Sequence, residues 1–169
     1  VILIALGANL PSAEFGEPRR TLEAALTAIS QTGVVVCRRS SWYRSRPVPP
    51  SGQPWFVNAV AALSSAPDPA ALMTLLHTIE DRFGRTRSAV NAARVVDLDL
   101  LDYDGRVSAP DDWPVLPHPL IAERAFVIVP LVEIAPQWRH PVTGKSAADL
   151  LADLADQQAV HRMGEDEPR

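Results

Sequence analysis

One cysteine, Cys37, leaves no partner for an internal disulfide, and four scattered histidines offer none of the Cys/His spacings that hold structural zinc. A disulfide scaffold and a zinc module are both excluded by this count, and the thiol economy fits a reducing cytoplasm, the expected compartment. No apolar run approaches the ~20 residues needed to cross a bilayer. The opening Val1-Ile2-Leu3-Ile4-Ala5-Leu6 has no basic region or small-residue cleavage site before it, so no membrane partner is expected. The chain also lacks a basic excess: its net charge is −4 and its pI is near 5.5. A partner held by overall charge, such as duplex nucleic acid or an anionic surface, is therefore not expected, and any anion site must be local. A phosphate-binding Gly-x-x-x-x-Gly-Lys loop is missing, which argues against a P-loop enzyme.

What the chain does have is 47% hydrophobic residues in 169, enough for one core and short for two. A single domain over 1–163 is expected, followed by a polar, frayed tail over 164–169; a monomer is expected. Sixteen prolines is a high count, and they gather in 47–54 and 110–119, which read as ordered loops suited to carrying binding groups.

Val1–Leu6 is too short for a helix and stops at Gly7-Ala8-Asn9-Leu10-Pro11, so it reads as a buried strand. From Pro18, Leu22, Ala25, Leu26 and Ile29 recur at helical spacing, and Gly33 closes the helix. Val34–Tyr43 is β-branched and aromatic, as is Phe56–Leu63, and the two are expected to pair across the proline loop. Pro69–Phe83 repeats the helical pattern up to Gly84, and Val95–Tyr103 reads as a strand. Asp104-Gly105 is a hairpin signal leading to Arg106-Val107-Ser108. Ala125–Glu133 reads equally as helix or strand, and Ser146–Leu154 as a short amphipathic helix. This order predicts an α+β fold, a ferredoxin-like βαββαβ sandwich with C-terminal additions.

The chemistry concentrates near Asp97 and Asp99. Strand alternation puts Val96, Leu98 and Leu100 on one face and Val95, Asp97, Asp99 and Leu101 on the other, so two carboxylates sit in an otherwise apolar row. With Cβ atoms roughly 7 Å apart, they would repel by about 2 kcal/mol at an effective dielectric of about 20. A hard divalent cation relieves this naturally, since magnesium takes one or two carboxylates together with waters and substrate phosphates. The plainer alternative is a row wetted by solvent. Just upstream, the interval between Asp81 and Asp97 has no acidic residue but four arginines, Arg82, Arg85, Arg87 and Arg94. Guanidinium groups match phosphate oxygens, so an arginine loop running into a carboxylate strand suits polyphosphate transfer. Its alternative is a solvated basic loop touching RNA.

The strings Ile79-Glu80, Gly84-Arg85-Thr86-Arg87 and Ala93-Arg94-Val95-Val96-Asp97-Leu98-Asp99-Leu100-Leu101 resemble the signature of the 6-hydroxymethyl-7,8-dihydropterin pyrophosphokinase family. Four further strings follow the same pattern in order: Ala5–Leu10; Tyr43-Arg44-Ser45 with Gly52–Val60; Leu116-Pro117-His118-Pro119; and Arg124-Ala125-Phe126 ahead of Pro130–Pro136. The resemblance spans nearly the whole chain.

It implies transfer of pyrophosphate from ATP to the hydroxymethyl group of a reduced pterin by direct in-line attack, with two Mg2+ ions bound with ATP. Asp97 and Asp99 would be the metal ligands, and Arg85 and Arg94 would stabilise charge during transfer. Glu80, Arg87, His118 and Arg124 would lie on ATP. Asn58 would read the pterin edge with its paired donor and acceptor, Phe56 and Phe126 would sandwich the ring, and the backbones of Ser45 and Val48 would add hydrogen bonds. On periodicity alone Phe56 is an ordinary core residue, whereas His118 between two prolines is not. His77, His140, His161, Trp42 and Trp55 read as structural or surface.

Two other classes stay open at this point: a ferredoxin-like RNA-binding module with Phe56 or Trp55 stacking bases, and another Mg-dependent enzyme such as a nucleotidyltransferase. One departure from the family pattern stands out. Asn91-Ala92-Ala93-Arg94 replaces a Trp-Gly-Pro-Arg run, so a lid over the site is expected to be held by Arg87 and Arg94 reaching phosphate.

Overall fold

The computed structural model describes residues 1–84, 92–109, 111–154 and 158–164. Its strands are β1 (Ile2–Ala8), β2 (Val35–Arg39), β3 (Tyr43–Ser45), β4 (Phe56–Ser65), β5 (Asp97–Tyr103) and β6 (Val160–Arg162). They form one sheet in the order β5-β1-β4-β3-β6, with β2 also on β4, and every pairing among the described residues is antiparallel. The helices are α1 (Pro18–Gln31), α2 (Pro69–Arg82), α3 (Ala125–Ile134) and α4 (Ala147–Asp153).

Period-2 alternation divides the apolar side chains between two layers. Ile4 and Leu6 of β1, Ala59 and Ala61 of β4, and Leu98 of β5 pack with Leu22 and Ile29 of α1 and Leu72, Leu76 and Ile79 of α2. On the other face Leu3, Val60, Ala62 and Leu101 pack with Val127, Ile128 and Leu131 of α3, Leu150 of α4, and Trp138. Both helices of the first layer begin on a proline whose missing N–H costs nothing in a first turn. α2 adds an Asp68 cap that accepts from the N–H groups of Ala70 and Ala71, both at 3.1 Å. Gly84, at φ +82, takes the left-handed turn that ends α2.

Two sequence expectations change, one open reading is resolved, and one strand is new. The strand expected over Val34–Tyr43 breaks into β2 and β3, because the Ser40 hydroxyl accepts from the Val60 N–H and donates to the Ser41 carbonyl, which bends the chain. The ten residues of β4 are long enough to pair with both pieces in series. The Asp104-Gly105 turn forms at φ +51 and +70, yet Arg106–Ser108 does not return as a strand. There the Asp102 carboxylate accepts from the Gly105 N–H, and Ser108 closes instead on Leu116. The ambiguous segment is helical: α3 is buried on most of its surface, and tertiary packing overrides its β-branched residues. Strand β6 had no counterpart in the sequence reading. The expected frayed tail falls on 164–169, of which 165–169 lie outside the described residues.

Helix α3 covers only one end of its face of the sheet. The end where β1 finishes and β4 and β5 begin is left facing a cleft.

Candidate active site

The cleft has an empty volume of about 710 Å³, open solvent at its mouth included, a size suited to a small-molecule site. Its floor is Gly7 of β1, Asn58 of β4, and Asp97 and Asp99 of β5; one wall is the Ser45–Pro49 stretch with Phe56, the other Arg124, Phe126 and Val127. Alternation along β5 does put Asp97 and Asp99 on the cleft side, with Leu98 and Leu100 in the core behind them.

The carboxylate row is compensated by cations from both sides. Arg94 Nη1 lies 2.7 Å from Asp97 Oδ2, and Arg124 Nη1 lies 3.6 Å from Asp99 Oδ2. These side chains are 20–26% exposed, partly desolvated yet open to a ligand. His118 Nε2 lies 3.8 Å from Asp99 Oδ2. Leu120 N–H donates to His118 Nδ1 at 3.1 Å, which leaves the ring proton on Nε2. Burial, then the neighbouring Arg124, push this imidazole down to about 4 against the pull of Asp97, so at neutral pH His118 is a neutral donor.

The fit of a metal can be judged from the donors. Two carboxylates give hard oxygen ligands, and among the described residues no group of three or more His, Cys, Asp or Glu could enclose an ion. An ion held here must share its shell with water and substrate oxygens, as magnesium commonly does and structural zinc does not.

Glu80, expected near the nucleotide, is 0% exposed and is not among the residues lining the cleft. Glu80 Oε1 accepts from the Leu98 N–H at 2.7 Å. Among the described residues β5 is an edge strand, where one row of backbone groups has no neighbouring strand; Glu80 braces β5 from α2, behind the aspartates. Arg85 and Arg87, with the lid position Asn91, lie outside the described residues.

On the other side of the cleft, Ser45, Val48, Phe56, Asn58 and Phe126 all line the cavity. Asn58 is 4% exposed and its Nδ2 donates to Ser45 Oγ at 2.8 Å, which fixes the amide. Its Oδ1 would stand 3.2 Å from a Cβ built on Gly7, so this strand position needs glycine for space. The Arg124 guanidinium lies 5.6 Å from the Phe126 ring centroid, linking the charged and aromatic ends. Of the side residues, Trp55 stacks on His161 at 5.8 Å and Trp42 is buried, as a structural reading expects.

Three contributors were missed. Asn9, 2% exposed, ties two loops together: its Oδ1 accepts from Arg94 N–H at 2.8 Å while its Nδ2 donates to Gln53 Oε1 and the Pro54 carbonyl. Asparagine in a turn right after a strand was a visible signal for such a role. Arg46 lines the cleft and lies 5.3 Å over the Trp55 ring, and no local pattern marked it. Glu133 clamps α3 to β3, accepting from the Ser41 N–H, Ser41 Oγ and Tyr43 Oη at 2.8–3.0 Å. Burial works against ionisation there, but the bonds from Tyr43 and Ser41 prevail and hold the carboxyl below its usual range.

Comparison with known proteins gives a consistent pattern. The model of a family described as 7,8-dihydro-6-hydroxymethylpterin-pyrophosphokinase matches residues 3–136. A 2-amino-4-hydroxy-6-hydroxymethyldihydropteridine pyrophosphokinase of Methylorubrum extorquens is 35% identical over 95% of the chain and 96% of its own length. The protein of that name from Haemophilus influenzae is 37% identical over 95% and 94%. A solved Plasmodium falciparum HPPK-DHPS structure superposes with a TM-score of 0.67 over 89% of this chain and 43% of its own, at 12% identity, a likeness of fold alone.

Proposed function

The chain belongs to the 7,8-dihydro-6-hydroxymethylpterin-pyrophosphokinase family, transferases of folate synthesis, and from that premise we propose that ATP is its donor and 6-hydroxymethyl-7,8-dihydropterin its acceptor, with Mg2+ required. The observation that carries this reading is one cleft with a carboxylate–guanidinium end, Asp97, Asp99, Arg94 and Arg124, and an amide–aromatic end, Asn58, Ser45, Phe56 and Phe126. The first end suits a metal-bound triphosphate, the second a flat heterocycle with a polar edge. The strand order, with α1 and α2 together on one face, supports a ferredoxin-like core whose other face is covered by the C-terminal additions α3 and α4, while β6 extends the sheet beside β3.

The pterin hydroxymethyl oxygen attacks the β-phosphorus in line, and AMP departs as the bond to the β-phosphorus breaks. Asp97 and Asp99 would hold magnesium, which when bound would neutralise phosphoryl charge. Arg94 and Arg124 neutralise phosphate oxygens, and Arg85 and Arg87 join them by family resemblance. Neutral His118 offers its Nε2–H to a phosphate oxygen. Asn58 and the Ser45 and Val48 backbones fix the pterin edge, while Phe56 and Phe126 hold the ring faces and exclude water. Catalysis is then mostly positioning and electrostatics, with no covalent enzyme intermediate. We place it in the cytoplasm as a monomer, and neither nucleic acid nor membrane enters this reading.

Titration calorimetry tests the two-ligand site. A non-hydrolysable ATP analogue with Mg2+ should bind at one site per chain, after which the pterin should bind at one more. A pterin that does not bind in the presence of nucleotide and Mg2+ overturns the reading.

A further inference from the structure

The wall carrying Arg124 and Phe126 is held by a residue beyond the family-matched stretch. Gln158, two residues ahead of β6, donates from Nε2 to the Glu123 carbonyl and accepts at Oε1 from the Ala125 N–H, both at 2.8 Å. Its carboxamide thus grips the backbone on both sides of Arg124, which only a group with donor and acceptor together can do. Arg124 is the N-cap of α3, extended at φ −116 and ψ 103, and its own side chain makes no capping bond. The first N–H of a helix has no acceptor within that helix, so Gln158 supplies from 33 residues away the cap that Arg124 does not.

The same short segment reaches the opposite wall. The Ala159 carbonyl accepts from the Arg46 N–H at 3.3 Å, and Val160 pairs with Ser45. Residues 158–160 therefore touch both the stretch that carries Ser45 and Arg46 and the stretch that carries Arg124 and Phe126. Besides the clasp, the Glu123 N–H donates to the Leu120 carbonyl at 3.2 Å, and the Val127 and Ile128 N–H groups donate to the Arg124 carbonyl, each at 3.0 Å. These reach the Glu123 N–H and the Arg124 carbonyl, and leave the Glu123 carbonyl and the Ala125 N–H to Gln158 among the described residues.

We propose that Gln158 is a positioning residue of the site: it fixes the main chain at Arg124, so that the guanidinium stays between Asp99 and Phe126 and the two walls keep their spacing. This rests on the cleft being the site of pyrophosphate transfer. Arg124 lies 3.6 Å from Asp99 and 5.6 Å from the Phe126 ring, contacts that a shift of its backbone would break together.

The test combines amide hydrogen exchange with steady-state kinetics on the full chain. In the wild type the Ala125 N–H should be protected, unlike an ordinary first helical amide. Gln158→Met, similar in length but without donor or acceptor, should lose that protection and lower kcat/KM for the pterin about tenfold, equivalent to one hydrogen bond's worth of positioning. Its Tm should move by no more than about 4 °C. Gln158→Glu keeps an acceptor for Ala125, so it should retain the protection and recover part of the activity. In an Arg124→Ala background, Gln158→Met should cost less than about twofold more, because both act through the same group. An unprotected Ala125 N–H in the wild type overturns the proposal. So does a Gln158→Met enzyme within about twofold of wild type, or a loss that adds in full to that of Arg124→Ala. If Gln158→Met does not fold, exchange in the wild type and in Gln158→Glu decides. If the wild type forms no pyrophosphorylated pterin, the functional reading falls, and Ala125 exchange still decides the clasp.

Discussion

Replacing Glu80 with alanine separates a strand brace from a nucleotide contact. Glu80 and Leu98 are both 0% exposed, and the Leu98 N–H donates to Glu80 Oε1 at 2.7 Å. Truncation leaves that N–H in the interior without its acceptor, a cost of about 1–3 kcal/mol. It also removes one buried methylene worth about 0.8 kcal/mol. The sum is about 2–4 kcal/mol, which for a chain of this size lowers Tm by about 4–16 °C. Because Leu98 stands between Asp97 and Asp99, the surviving folded fraction should also lose kcat, through displaced metal ligands, with little change in affinity for the ATP analogue. Glu80→Gln, whose carboxamide oxygen still accepts from Leu98, should retain most of the stability. The assays are thermal unfolding, kinetics well below Tm, and analogue titration. Glu80→Ala with a wild-type Tm and a raised ATP KM would refute the brace and restore the ligand role.

Asp97→Asn and Asp99→Asn should each fold and retain less than about a tenth of the activity, because each removes a metal-ligand charge while sparing shape; the rise in wild-type Tm with Mg2+ and ATP analogue should vanish in both. More than about a tenth of activity remaining in either would remove it from the metal site. Since Arg94 and Arg124 already offset these carboxylates, neither variant should gain much stability. Asn58→Leu and Gly7→Ala should both weaken pterin binding, the first about tenfold or more by unsatisfying the pterin edge, with ATP-analogue affinity nearly unchanged. Gly7→Ala acts by crowding Asn58 Oδ1, 3.2 Å from the added Cβ. Equal losses of both ligands in a titration would mark a folding defect instead. Burial, then the bond to Glu133, push the Tyr43 phenol from 10.0 up to about 12. The folded state therefore holds this proton more tightly, a contribution complete below the unfolded pKa of 10.0 and lost as pH rises through about 12. Tyr43→Phe should flatten the alkaline limb of stability against pH, and an unchanged limb contradicts the assignment.

The parts of this molecule legible in sequence are those with short-range causes. Strand periodicity alone put Asp97 and Asp99 on one face, and proline, aspartate and glycine punctuation located α1 and α2. The bond between Glu80 and Leu98 was not legible, because helical spacing does not say which way a carboxylate faces once α2 packs against the sheet. The Asp104-Gly105 turn was visible, but what followed depended on Asp102 and Ser108 making bonds no turn rule anticipates. Strand β6 is three residues, Val160-His161-Arg162, with no alternation to read, and exists through pairing with β3 more than a hundred positions earlier. Gln158 has no local signature, since its partners are backbone groups 33 and 35 residues away. The aromatic and amide side of the cleft was found only by family resemblance, because Phe56 and Asn58 within an apolar strand look like core until Gly7 is seen beside them.

The central claim is that this cleft moves the β- and γ-phosphoryl groups together from ATP to a pterin. ATP carrying isotope in its β-phosphate, incubated with the protein, Mg2+ and 6-hydroxymethyl-7,8-dihydropterin, tests it directly. The label should appear in the pterin product in amounts equal to the AMP formed, and Asp97→Asn should abolish both. Label released as free pyrophosphate, or retained in ADP, would contradict it.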